Sequence, residues 1–247
     1  MPVYQPDHVE YAIISGHIHI ATDDGQQIPA FWSHPDVGGL FPGIVLMHDW
    51  WGITEVERQL SNRFAQAGYY VIVPDLFDGE RAATAQDAMR LVEALGASGY
   101  PRVDAALQAL ENHHRCNRRV AAVGLGMGGT LAYQAAIVRD DLEAAIVYYG
   151  FPQRSFGRFQ DAKAPILAIY GSEEPHVDIE SRERLRHELE NAALPHRVLT
   201  LHGAARDFFA PGRMPDATPY GQAAWRETLD FLDRHLGHVA PPANSTM

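Results

Sequence analysis

The stretch Val120–Thr130, VAAVGLGMGGT, constrains the fold more than any other part of this chain. A short apolar run of strand character, Val120–Val123, ends in a turn containing Gly124, Gly126, Gly128 and Gly129. An Ala-rich helical run follows, Thr130–Val138. Strand, tight turn and helix in immediate succession need backbone angles that glycine reaches freely and other residues avoid. The layout is that of a nucleophile elbow. There the central residue of G-x-(nucleophile)-x-G stands above the sheet, and the N–H of the next residue helps form an oxyanion hole. In this chain the central residue is Gly126, which carries no side chain.

The remaining pattern alternates strands with helices. Gly43–Met47 (GIVLM), Tyr69–Val73, Glu143–Tyr149 and Pro165–Tyr170 are short continuous apolar runs, as expected of strands covered on both faces. Arg197–Leu201 supplies a last strand. Residues 1–16 read as a polar lead-in. His17–Ala21 and Gln27–Trp32 read as a hairpin turning at Asp24-Gly25, with Pro29 suggesting an edge position. Helices are expected over about 54–67, 83–95, 101–114, 179–191 and 220–236. This order predicts a mostly parallel central sheet with helices on both faces, in one α/β domain over residues 1–236. The tail 237–247 reads as disordered.

Composition narrows the partners. With 20 Lys and Arg against 31 Asp and Glu, the net charge of −11 argues against nucleic acid and anionic membrane surfaces. No apolar run approaches the ~20 residues needed to span a bilayer, and the N-terminus lacks a basic start and an apolar signal core. The single Cys116 excludes an internal disulfide framework and fits a reducing cytoplasm. A small molecule is the expected partner, of a monomer or homodimer, with no cofactor.

The order of four motifs resembles the dienelactone hydrolase family of α/β-hydrolases. They are HDWWG at His48–Gly52, PDLFDG at Pro74–Gly79, VGLGMGG at Val123–Gly129, and the C-terminal run from Pro219-Tyr220 to Phe231-Leu232. The resemblance covers about residues 10–236 and implies the α/β-hydrolase fold. It places the family's cysteine nucleophile on Gly126 and its acid, within a G-x-x-D-x-x-V pattern, on Glu174. It places the family's histidine, within G-A-x-H-x-F, on Arg206, and the glutamate of its HExxG-type motif on Asp49.

Two of those three triad positions cannot do the family's chemistry. Acyl transfer needs an attacking side chain and a base that takes its proton. Gly126 offers neither oxygen nor sulfur, and Arg206 stays protonated at neutral pH. The resemblance leaves the oxyanion-hole N–H groups on Met127 and Trp50, with the helix N-terminus aimed at the same spot. Arg206 is expected to pair with Glu174, in bidentate fashion. Trp50, Trp51, Phe77, Phe151, Phe208 and Phe209 are candidate pocket walls, and Arg81 is a candidate carboxylate contact. His202, four residues before Arg206, is a candidate replacement base. Ser155 and Ser172 lie in loops without an elbow. Cys116 is placed at the opposite end of the sheet. His113-His114-Arg115-Cys116 lacks metal-ligand spacing, so no metal is expected.

Three functions stay open at this point. The first is binding of a small anionic or carbonyl ligand in the old pocket, without the family's triad chemistry. The second is hydrolysis of small esters or lactones by water, with His202 as base and Asp49 or Glu174 orienting the water. The third is an interaction protein with a vestigial pocket. A screen of activated esters separates the second from the others. A thermal-shift screen with small carboxylates separates the first from the third.

Overall fold

A computed structural model describes residues 10–22, 25–209 and 218–237. Its strands are β1 (Ile13–Ala21), β2 (Gln27–Pro35), β3 (Phe41–Met47), β4 (Tyr70–Pro74), β5 (Cys116–Leu125), β6 (Ala144–Tyr148), β7 (Ile166–Gly171) and β8 (His196–Leu201). Its helices are α1 (Glu55–Gln66), α2 (Ala85–Leu95), α3 (Gly99–Glu111), α4 (Met127–Val138), α5 (Ile179–Asn191) and α6 (Pro219–Leu236). One sheet runs in the order β1-β2-β4-β3-β5-β6-β7-β8. The six strands from β4 to β8 pair in parallel, and β2 joins β4 antiparallel, as β1 joins β2. Helices cover both faces of the sheet.

The apolar runs explain the centre of the sheet. Every residue of β3, β4, β6 and β7 is buried, because parallel strands carry helices above and below. Helix starts follow local chemistry. Thr54 and Glu57 form a reciprocal capping box on α1, and Thr84 and Asp87 do the same on α2. The glycine-rich turn is explained by contact as well as by angle. A Cβ on Gly128 would strike the carbonyls of Met47 and His48, and one on Gly124 would strike Gly128. Their absence lets the first turn of α4 settle against the end of β3, where Gly128 N–H donates to the His48 carbonyl at 3.1 Å.

Several boundaries differ from the sequence reading. β1 starts at Ile13, so residues 13–16 are strand and not lead-in. Ile13–Gly16 pair with Trp32–Pro35, and this ladder extends the hairpin beyond what the alternation at His17–Ala21 reveals. The edge strand is β1 and not β2. Pro29 is tolerated because the β2–β4 ladder covers only Ala30–Ser33; its carbonyl accepts the Asp75 N–H at 2.7 Å. α4 begins at Met127, three residues earlier than the Ala-rich run. Asp24 of the expected turn and residues 238–247 of the tail lie outside the described residues.

Candidate functional site

The C-terminal ends of the parallel strands bring one group of residues together, as open α/β sheets do. After β3 come Asp49 and Trp50, and after β5 come Gly126 and Met127. Tyr149 and Phe151 follow β6, Glu174 follows β7, and Arg206 follows β8. Gly126 has φ 52° and ψ −108°, a conformation that a residue with a Cβ occupies only under strain. The elbow's backbone is therefore present.

Asp49 dominates the site. Its Oδ1 accepts the Trp50 N–H at 2.8 Å and the Met127 N–H at 2.9 Å. These are the two groups expected to line an oxyanion hole, and an oxygen of the chain itself already accepts from both. A Cβ built on Gly126 would lie under 3.0 Å from all three atoms of the Asp49 carboxylate. The carboxylate thus fills the space that an elbow side chain would enter. His48 fixes the preceding turn. Its Nε2 accepts the Leu76 N–H at 3.0 Å, and its Nδ1 meets the Asp49 carbonyl at 2.7 Å. With Nε2 accepting, Nδ1 carries the proton.

Arg206 crosses the gap between the two acids. Its Nη1 donates to Glu174 Oε2 at 3.0 Å and to the Tyr149 carbonyl at 2.9 Å. Its Nη2 lies 3.7 Å from Asp49 Oδ2. The pair with Glu174 forms, but through one nitrogen and one oxygen. The bidentate geometry does not, because the guanidinium is shared between two carboxylates. The Glu174 side chain is 0% exposed, and those of Asp49 and Arg206 are 11% and 13% exposed. The rings of Tyr149 and Phe151 each lie 4.8 Å from the guanidinium carbon. Gly171 lets this loop close, since a Cβ there would strike the Ala204 and Ala205 carbonyls.

Phe208 is buried against Tyr149, with ring centroids 5.3 Å apart. Trp51 is half-buried beside Trp50 at 5.2 Å. Arg81 is exposed next to the Gly52 turn, outside this group. His202 is also exposed, and among the described residues no hydrogen bond or ion pair joins it to Asp49, Glu174 or Arg206. Ser172 Oγ accepts the Gly203 N–H at 2.8 Å, an interaction within the turn. Cys116 is buried at the start of β5, at the far end of the sheet.

Two residues were missed. Glu57 is buried, caps α1 and faces Asp49 electrostatically; the pattern Thr54-x-x-Glu57 was a readable signal for the cap. Tyr149 has φ 43°, is buried, and supplies both a carbonyl and a ring to Arg206. Nothing in its sequence context marks a left-handed residue. Burial pushes its hydroxyl well above the ordinary tyrosine range, with Asp49, Asp207 and Glu57 adding to the effect. It stays protonated.

Burial also raises the Asp49 carboxyl above its ordinary 3.8, against the opposing pull of Arg206 and of the two N–H groups. A raised folded-state value means that folding favours the protonated carboxyl. That contribution to stability is fully present below the unfolded-state value and is lost as pH rises through the folded-state value. The stability of the parent relative to Asp49→Asn is therefore expected to fall as pH is raised from acidic to neutral. Urea melts across that range measure it; a constant separation would mean that Asp49 does not titrate with folding.

The sequence profile of the dienelactone hydrolase family matches residues 28–236. The chain belongs to the dienelactone hydrolase family. Protein usf of Aquifex pyrophilus is 27% identical over 226 residues, covering 86% of this chain and 96% of that one. A Yersinia pestis protein with the provisional name carboxymethylenebutenolidase is 24% identical over 240 residues, covering 90% and 89%. A dienelactone hydrolase-like promiscuous phosphotriesterase from metagenomic libraries superposes with a TM-score of 0.79 at 19% identity, covering 91% of this chain and 99% of that one. The last likeness shows the fold alone. Among the described residues of this dienelactone hydrolase family protein, no helix is long and apolar enough to cross a membrane.

Proposed function

We propose that this dienelactone hydrolase family protein binds a small carboxylate or carbonyl ligand above Gly126 and forms no acyl-enzyme. The observation that carries this reading is the seat of Asp49. Two backbone N–H groups and a guanidinium converge there on a carboxylate. The same donors suit a ligand's carboxylate or carbonyl oxygen once Asp49 turns away. Acylation of a residue at 126 has no side chain to proceed through, and Arg206 in place of a base cannot take a proton.

Ligand binding is tested by thermal shift with small aryl and alkyl carboxylates and their amides. Asp49→Ala empties the hole, so its melting temperature is expected to rise more with such a ligand than that of the parent. A ligand at a hundred times its Kd stabilises by about 2.7 kcal/mol. If no carboxylate or amide stabilises either protein, the reading fails.

With aryl esters, a burst of phenol stoichiometric with protein is not expected, and only slow linear release should be seen. Residual rates of ~10³–10⁴-fold over water can come from binding and the two hole N–H groups without any acyl-enzyme, and do not count against the proposal. A stoichiometric burst would contradict the proposal. The exposed position of His202 gives the water-and-histidine mechanism no structural support.

A further inference from the structure

The reactivity left to Asp49 follows from which of its atoms are engaged. Oδ1 is held by two backbone N–H groups. Oδ2 faces Arg206 at 3.7 Å, beyond hydrogen-bond distance, on a side chain that is 11% exposed. While Oδ1 fills the hole, the carbonyl oxygen of an acyl substrate cannot be stabilised there. Displacement at a saturated carbon develops no oxyanion on the substrate and needs no hole. A carboxylate nucleophile is a known device for such covalent steps, and this one occupies the space of the elbow side chain.

We infer that Asp49 is a nucleophile toward saturated carbon, alkylated on Oδ2 by small neutral α-halocarbonyl compounds. A lone pair on Oδ2 forms the new C–O bond. The carbon–halogen bond breaks, its electron pair leaves with the halide ion, and no proton moves. The product is an ester of Asp49 whose carbonyl oxygen is Oδ1, still in the hole. Two features of the site select the substrate class. The guanidinium on the Oδ2 side offers hydrogen bonds to a carbonyl next to the reacting carbon. With Asp49 seated in the hole, its charge and those of Glu174 and the nearby Glu57 outnumber Arg206, which favours a neutral compound at Oδ2; a carboxylate ligand enters only once Asp49 has turned away. Esterification also removes a charge that burial disfavours.

Hydrolysis of that ester would require water to attack the Asp49 Cγ, placing the oxyanion on Oδ1 between the same two N–H groups. It would release the alcohol and restore the carboxylate. The attacking water must lose a proton, and the position of a base is held by Arg206. The ester is therefore expected to accumulate. This activity goes beyond the ligand binding proposed above and does not depend on it.

The test is treatment of the full-length folded protein with 2-bromoacetophenone, followed by intact mass, peptide mapping and bromide assay. The expected result is one phenacyl group on Asp49 and one bromide released per chain. Its formation should be faster by on the order of tenfold or more than modification of exposed carboxylates. Asp49→Asn should lose this adduct, and Cys116→Ser should keep it. An unmodified Asp49 in the parent, with label confined to Cys116 or spread evenly over exposed Asp and Glu, overturns the proposal. Because that outcome is read on the parent, it holds even where a variant folds poorly.

Discussion

Gly126→Ala is expected to destabilise the folded protein by roughly 2–6 kcal/mol, combining left-handed strain with overpacking. Both contributions are visible in the structure. The backbone angles at 126 are φ 52° and ψ −108°, and the new methyl group would lie against the Asp49 carboxylate. The second contribution depends on Asp49 and the first does not. The double variant Asp49→Ala/Gly126→Ala should therefore be more stable than the sum of the single effects predicts, by about 0.5–3 kcal/mol. Urea denaturation of the four proteins gives the coupling. Strict additivity would show that Asp49 does not obstruct position 126, and a neutral Gly126→Ala would remove the strain argument as well.

Arg206→Met should be similarly damaging. It keeps an unbranched apolar chain between Tyr149 and Phe151 but removes the cation. Glu174, whose side chain is fully buried, and Asp49, nearly so, are then left without a counter-charge. Breaking a buried pair from one side costs about 3–5 kcal/mol. The sign of its pH dependence is fixed. Without Arg206 the Asp49 carboxyl, which burial already raises, loses the charge that opposes that rise and is easier still to protonate in the folded state. The variant should recover stability as pH falls and lose it as pH rises. A second substitution, Glu174→Gln, should restore part of the loss at neutral pH. Failure of both acidification and Glu174→Gln to help would locate the damage in packing against the two rings.

The sequence carried the fold through features that act locally. The continuous apolar runs of β3, β4, β6 and β7 mark strands buried on both faces, and Thr54, Thr84 and Asp178 mark helix starts. The pairing of Arg206 with Glu174 was legible too, since two long side chains stand where shorter ones stand in the family pattern. The seat of Asp49 was not. It rests on a contact between residues 78 apart in the chain, made when the end of β3 meets the start of α4. Sharing of Arg206 between two acids depends on that same meeting. The left-handed Tyr149 is fixed by its surroundings, and no motif announces it. At β1, pairing with β2 extends the strand into residues whose own pattern is weak.

The seat of Asp49 also sets the order in which a nucleophile could be introduced into this chain. A cysteine entering first at position 126 meets an occupied space and starts from a damaged fold. A small residue entering first at position 49 vacates both the space and the two N–H groups, and it relieves Arg206 of one acid. Only afterwards does a cysteine find room, and a histidine at 206 a thiol to serve. The route to a thiol enzyme on this fold therefore has a direction, with position 49 as its gate. A library that varies 126 and 206 while holding Asp49 fixed explores the closed side of that gate.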